Sequence, residues 1–275
     1  MKKLLAIIMC LVMLLSFAAC GNADVTSSNV DADATNKETI VVGYTIYEPM
    51  NFKDESGKLV GFDTELAEKV FGNLGYEVNF KEIVWDNKYT DLNSNVIDCV
   101  WNGFTCNTSD DDGVARADKV DFSYNYMENL QVVVAKKDAG FKAAEDLKGT
   151  IASAEGGSAG ETYAKDTFKD IVFKSASVQT DALMAVNAGT ADFAVLDNQL
   201  AKSYCGKGDY ENLQIVDGLS SEVEYYAIGF KKGSELTAKV NAELEKLAAD
   251  GTITAIAKKY GVENTAIIDF ADQKK

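Results

Sequence analysis

The apolar positions of this chain alternate between two periods. Thr39-Ile-Val-Val-Gly-Tyr44 is a short, nearly continuous apolar run, the pattern of a buried strand. The turn Lys53-Asp-Glu-Ser-Gly57 closes a hairpin onto Leu59-Val60. Leu66, Ala67, Val70 and Phe71 then recur on one helical face, with Asp63 as the expected cap and Gly72 and Gly75 as the stop. Val78 and Phe80 alternate as a strand. A helix from Trp85-Asp86 to about Asn95 leads into a buried strand over Val96–Trp101. The rhythm is strand, helix, strand, which predicts an α/β protein with mostly parallel sheets.

The same rhythm restarts in the second half. Leu130–Ala135 is an apolar strand with no turn signal before Lys136. Thr150–Ala152, a helix over Glu161–Phe168, strand Ile171–Phe173, a helix over Val178–Ala188 and strand Asp192–Leu196 follow. Strand Leu213–Val216 comes next, then Glu224–Phe230. The clearest helix comes last, with Ser234 as cap, the stripe Leu236, Val240, Leu244 and Leu247, and Gly251 as stop. At 275 residues the chain is long enough for two separate cores.

The first twenty residues read as an export signal. Lys2 and Lys3 precede the apolar run Leu4–Leu15, which is too short for a membrane span. Small residues before Cys20, with Gly21 after it, resemble a lipoprotein signal, although Phe17 stands where leucine is usual. Cys20 would then carry the lipid, such as palmitate; ordinary secretory cleavage is the alternative. Residues 21–38 are rich in Asn, Asp, Ser, Thr and Ala and hold no aromatic residue, so they read as a flexible tether. A tether of that length spans roughly 20–25 Å.

The formal net charge is −16, and losing the leader removes two lysines and no acid. Such a surface argues against nucleic-acid binding, where Lys and Arg contact phosphate. No histidine is present, which excludes histidine-based catalytic triads, and no CxxC pair supports zinc. Cys99 and Cys205 read as small core residues. Asp110–Asp112 fits no calcium loop, since alignment on Gly113 puts Thr108 first and Lys119 last, so it reads as a solvated loop. Asp63, Asp98 and Asp121 read as caps and turn formers.

The candidate chemistry starts from Arg116, the single arginine in a chain otherwise based on lysine. A guanidinium fork matches a carboxylate bidentately where an ammonium does not. Just upstream, the buried strand opens into Asn102-Gly103 with Thr105 beyond, the kind of strand end where α/β proteins bind small ligands.

With these residues in place, the chain resembles the extracytoplasmic solute-binding proteins of polar amino-acid ABC importers, bacterial family 3. The resemblance covers about Ile40 to Val262. It rests on Tyr47-x-Pro49, Gly61-Phe-Asp-x-Glu-Leu-Ala67, Trp85-Asp86, Asn102-Gly-Phe-Thr105, Arg116 with Val120-Asp-Phe-Ser123, Leu147-Lys-Gly149, Gly156-Gly-Ser158, Ala191-Asp192 through Asp197, Ile228–Ser234 and Ala249-Asp-Gly-Thr252. The resemblance implies a type II periplasmic-binding-protein fold: two α/β lobes, two hinge strands and a cleft between the lobes. It places lobe one at 39–131 and 226–275 and lobe two at 132–225, with crossings near Leu130–Ala135 and Glu224–Ile228.

Carried over, the resemblance gives Arg116 the ligand carboxylate, helped by Asn102, Gly103 and Thr105. Gly157 and Ser158 would add backbone N–H donors, and Asp197 would take the ammonium. Tyr47 and Trp85 would form walls. Both tryptophans, Trp85 and Trp101, are expected at the cleft. Tyr44 stands where some binders of basic amino acids carry aspartate, which leans the expected ligand towards a polar or sulfur-containing amino acid. The segment between Thr105 and Arg116 is longer than usual in the family. The implied partners are a free amino acid, permease subunits with a cytoplasmic ATPase, and the membrane through the lipid, for a monomer on the outer face of the membrane. No cofactor or metal is expected. A ligand-sensing module is one rival; no membrane span or kinase segment follows Lys275, which is read against a one-chain receptor. A dehydratase or cell-wall enzyme on the same fold is the other.

Overall fold

Strand Thr39–Tyr44 sits second in a five-stranded sheet whose order is Glu77–Glu82, Thr39–Tyr44, Cys99–Val100, Gly229–Phe230, Asp121–Phe122. The first three are parallel and Gly229–Phe230 runs against them. The computed structural model describes residues 37–274. The leader, Cys20 and residues 21–36 of the tether lie outside the described residues.

Helix Phe62–Asn73 covers this sheet because its Leu66, Ala67, Val70 and Phe71 are fully buried. Each large apolar side chain so buried contributes about 1.5–3 kcal/mol. The helix begins at Gly61, whose φ of 134° and the Met50 carbonyl oxygen 2.0 Å from any added Cβ require glycine. Asp63 does not cap the helix as its position suggested; it lies inside the first turn, fully buried. Helices Leu236–Ala249 and Thr252–Tyr260 pack on the same side as Phe62–Asn73.

The second lobe has its own sheet, in the order Val172–Ala176, Ile151–Glu155, Phe193–Asp197, Gln131–Lys136, Leu213–Ser220. The first three are parallel, and Gln131–Lys136 and Leu213–Ser220 complete the edge in antiparallel pairing. Helices Ala159–Thr167 and Gln179–Ala188 pack on the sheet.

Two short strands, Met127–Asn129 and Glu224–Tyr226, pair antiparallel between the lobes. They form the hinge. The apolar run Leu130–Ala135, read as the first crossing, lies almost wholly within the second sheet, and the crossing is the three residues before it. A buried central strand is long and apolar and therefore easy to see; a three-residue hinge has no period to detect.

Candidate functional site

The loop after strand Cys99–Val100 is built before it can bind anything. Asn102 is committed to its own lobe: its Nδ2 donates to the Thr45 carbonyl at 2.8 Å and to Asn51 Oδ1 at 2.7 Å, and its Oδ1 accepts from Thr45 Oγ1. Gly103 follows with φ 56°, and a Cβ there would strike the Tyr47 ring at 2.6 Å. Its N–H donates to Asp63 Oδ2 at 2.8 Å, and the Tyr126 hydroxyl donates to the same oxygen at 2.9 Å. Burial pushes the Asp63 carboxyl up to about 7 against these two donors. Asp63 therefore anchors this loop. The Tyr47 hydroxyl lies 2.6 Å from that of Tyr226 on the hinge strand, beneath the same loop.

Arg116 opens the four-residue helix Arg116–Lys119 and is 1% exposed. Its Nε donates to Asp110 Oδ1 at 2.8 Å, one terminal nitrogen to the Thr105 carbonyl at 3.2 Å, and the other to the Gly157 carbonyl of the opposite lobe at 3.2 Å. Its plane lies over the Phe104 ring, 5.4 Å from the centroid. Asp110 also accepts from Tyr89 and Lys119. Burial opposes its ionisation, but the Arg116 charge and those donors prevail and hold its carboxyl at about 2. Within the Asp110–Asp112 run, Asp111 and Asp112 are exposed, as a solvated loop requires, and only Asp110 is drawn out of solvent. Asp110 orients Arg116, Asp112 pairs with Lys119, and Asp111 reaches Thr162 and Lys165 in the second lobe.

Lobe two meets this surface with the turn after Ile151–Glu155. Ser158 caps helix Ala159–Thr167, its Oγ accepting the Glu161 N–H at 3.0 Å. Gly157 presents its carbonyl, which accepts from Arg116 and from Lys88 Nζ at 2.9 Å. The Gly157 N–H goes to Glu161 Oε2 and the Ser158 N–H to the Glu155 carbonyl, so the donors expected from this turn are engaged within their own lobe in this conformation. Asp197 ends its strand beside this turn. Its Oδ1 accepts from Asn129 and Gln131, both at 2.6 Å, and its Oδ2 from Gln179.

Seven of the nine candidate residues, namely Trp85, Asn102, Gly103, Thr105, Arg116, Ser158 and Asp197, border one small cavity between the lobes. Tyr47 stands behind Gly103, and Gly157 meets Arg116 across the cleft. Trp85 is 4% exposed and packs edge-on against Phe104 with centroids 5.2 Å apart. Trp101 does not border the cleft; it is fully buried against Phe71 and Tyr126. Tyr44 packs against Phe80 and does not border this cavity, so its identity carries no weight on the ligand.

The residue pattern alone missed four contributors. Glu155 and Gln179 border the cavity. Glu224 accepts from Thr105 and Gln131, and burial with the Asp197 charge pushes its carboxyl up to about 7. Lys88, 1% exposed, lies 4.7 Å from the Tyr89 ring centroid and 5.2 Å from that of Trp85. Burial, then the Arg116 charge, pulls its ammonium down to about 7. One signal was present for Lys88: it follows Trp85 by one helical turn.

Two α/β lobes, a paired-strand hinge and a polar cleft with opposite charges on its two walls define a two-lobed ligand-binding protein. Residues 40–263 match the model of the bacterial extracellular solute-binding proteins, family 3, and the chain belongs to that family. It is 30% identical over 278 residues to the L-cystine-binding protein TcyA of Bacillus subtilis, covering 97% of this chain and 100% of that one. The arginine-binding extracellular protein ArtP of the same organism is 29% identical over 262 residues, 94% of this chain and 98% of the relative. Among solved structures, an ancestral arginine-binding protein bound to arginine superposes with a TM-score of 0.73 at 34% identity, covering 82% of this chain and 98% of that one.

Proposed function

We infer that the protein captures a free amino acid outside the cytoplasmic membrane and delivers it to an ABC importer. One observation carries this reading: buried Arg116 on one lobe faces a cleft whose other wall holds buried Asp197. An α-amino acid presents the complementary pair of charges. Arg116 uses three N–H donors in the contacts above, and two of the five in a guanidinium remain for a ligand carboxylate. Asp197 keeps acceptor capacity on Oδ2 for the ammonium. Thr105, Gly103 and the Gly157–Ser158 turn complete the cradle, Asn102 holds its shape, and Tyr47 and Trp85 back its walls.

Lobe one comprises 39–126 and 227–275 and lobe two 130–223, and they close by bending at the paired hinge strands between them. The protein acts as a monomer, held at the outer face of the membrane by lipid on Cys20. It binds without turnover. Asp197 and Glu224 accept from side-chain amides, which suits holding a cation rather than moving a proton.

A thermal-shift screen over the amino acids, cystine, sugars and short peptides tests the reading. A ligand at a hundred times its Kd adds about 2.7 kcal/mol of stability, or roughly 5–10 °C for a chain of this size. Shifts with sugars or peptides and with no amino acid would refute it.

A further inference from the structure

Glu155 ends strand Ile151–Glu155 and borders the cavity with Trp85, Arg116, Gln179 and Asp197. It is 3% exposed, and its Oε1 is fully shielded with no hydrogen-bond partner among the described residues. The neighbouring carboxylates differ. Asp197 accepts from Asn129, Gln131 and Gln179; Glu224 from Thr105 and Gln131; Asp110 from Arg116, Lys119 and Tyr89. Lys88 does not serve Glu155 either, since its ammonium donates to the Gly157 carbonyl and lies over aromatic rings. A shielded carboxyl oxygen with nothing to accept from is costly, and buried polar groups are otherwise almost always paired.

The position of this group narrows its partner. Arg116 and Asp197 are taken by the two backbone charges of an amino acid. Glu155 lies on the strand parallel and next to that of Asp197, on the same wall. What remains for it is the ligand's side chain, and a carboxylate accepts only from a donor. We propose that Glu155 is the specificity residue of the cleft and that the ligands are amino acids with a cationic side chain, guanidinium or ammonium. This rests on the amino-acid reading above and names the class within it.

A linked proton follows. Burial, then the Asp197 charge, pushes the Glu155 carboxyl well up; Lys88 and Arg116 pull the other way and Asp181 adds to the push. A ligand cation within hydrogen-bond distance favours the carboxylate, so binding releases a proton from Glu155.

Calorimetry with arginine, lysine, glutamine and cystine, in two buffers of different ionisation enthalpy at neutral pH, tests the proposal. Arginine or lysine binds at least about tenfold tighter than glutamine or cystine, with proton release, as a charge-assisted bond predicts. Glu155→Gln weakens the cationic ligand by about 10- to 100-fold and abolishes the release, while glutamine affinity moves by less than about threefold. If glutamine or cystine binds as tightly as arginine, or E155Q weakens every ligand equally, the proposal is overturned and the amino-acid reading stands. If no amino acid binds, both fall. Should E155Q fail to fold, the ligand order and proton count of the unaltered protein decide the matter.

Discussion

Replacing Asp111 with Asn isolates the energetics of closure. Asp111 belongs to the long segment between Thr105 and Arg116, and it pairs with Lys165 and accepts from Thr162 Oγ1 at 3.1 Å, both in helix Ala159–Thr167 of the opposite lobe. The contact exists only while the lobes are closed, so its energy enters the open–closed equilibrium and nothing else. The two charged side chains are 43% and 40% exposed, which makes this a surface pair worth about 0.2–1 kcal/mol. Asn keeps an oxygen for Thr162, so the loss is confined to the charge. Lys165 also retains Glu161 at 2.6 Å and is not stranded. The closed-to-open ratio should therefore fall by about 1.4- to 5-fold, and ligand release should quicken by the same factor with little change in the on-rate. Stopped-flow release at physiological and at 1 M salt measures it, because the Debye length shrinks from about 8 Å to about 3 Å and should erase most of the difference. A change above about tenfold, or one that survives 1 M salt, would show that Asp111 acts through the Arg116 site and not through the latch.

Four further outcomes are expected. Arg116→Lys replaces the two-donor fork left for the ligand carboxylate by a single ammonium contact in a buried setting and should weaken amino-acid binding by roughly 30- to 150-fold in calorimetry; an unchanged Kd refutes the carboxylate role. Trp85→Phe should remove most of the fluorescence change on ligand addition, since Trp101 is sealed in the core of lobe one; a full signal in that variant places the reporter elsewhere. The Glu224 carboxyl sits at about 7 in the fold against an ordinary 4.5, so its stabilising contribution is complete below about 4.5 and is lost as pH rises through about 7. The melting temperature of the unaltered protein should fall through that window relative to Glu224→Gln, and parallel curves would contradict the assignment. Cys20→Ser should move the protein from the membrane fraction to the medium or periplasm, and unchanged retention would exclude lipid as the anchor.

What could be read in the sequence and what could not divide along a physical line. Periodicity is a local quantity, so elements whose burial is decided by their own pattern were legible: strand Thr39–Tyr44, the Leu66–Phe71 face, the stripe from Leu236 to Leu247. Arg116 was legible for a different reason, because a lone guanidinium among lysines is conspicuous without any fold. The residues that escaped owe their roles to partners far away in the chain. Lys88 is an ordinary helical lysine until Gly157, 69 positions on, offers it a carbonyl. Asp63 carries every mark of a cap and is instead recruited by Gly103, 40 positions on. The Asp110–Asp112 run is solvated at Asp111 and Asp112, as charge runs usually are, but each carboxylate also has a cation that the sequence does not reveal, one of them across the cleft. Glu155 is the sharpest case. Its neighbours in sequence are a small-residue strand and two glycines, and its meaning arises only when two lobes close and leave its oxygen shielded with no hydrogen-bond partner among the described residues. The contacts that make a ligand site also make it hard to foresee: closure brings together side chains that are unremarkable apart and costly to bury unpaired, and that unpaired cost is what a ligand of the right chemistry removes.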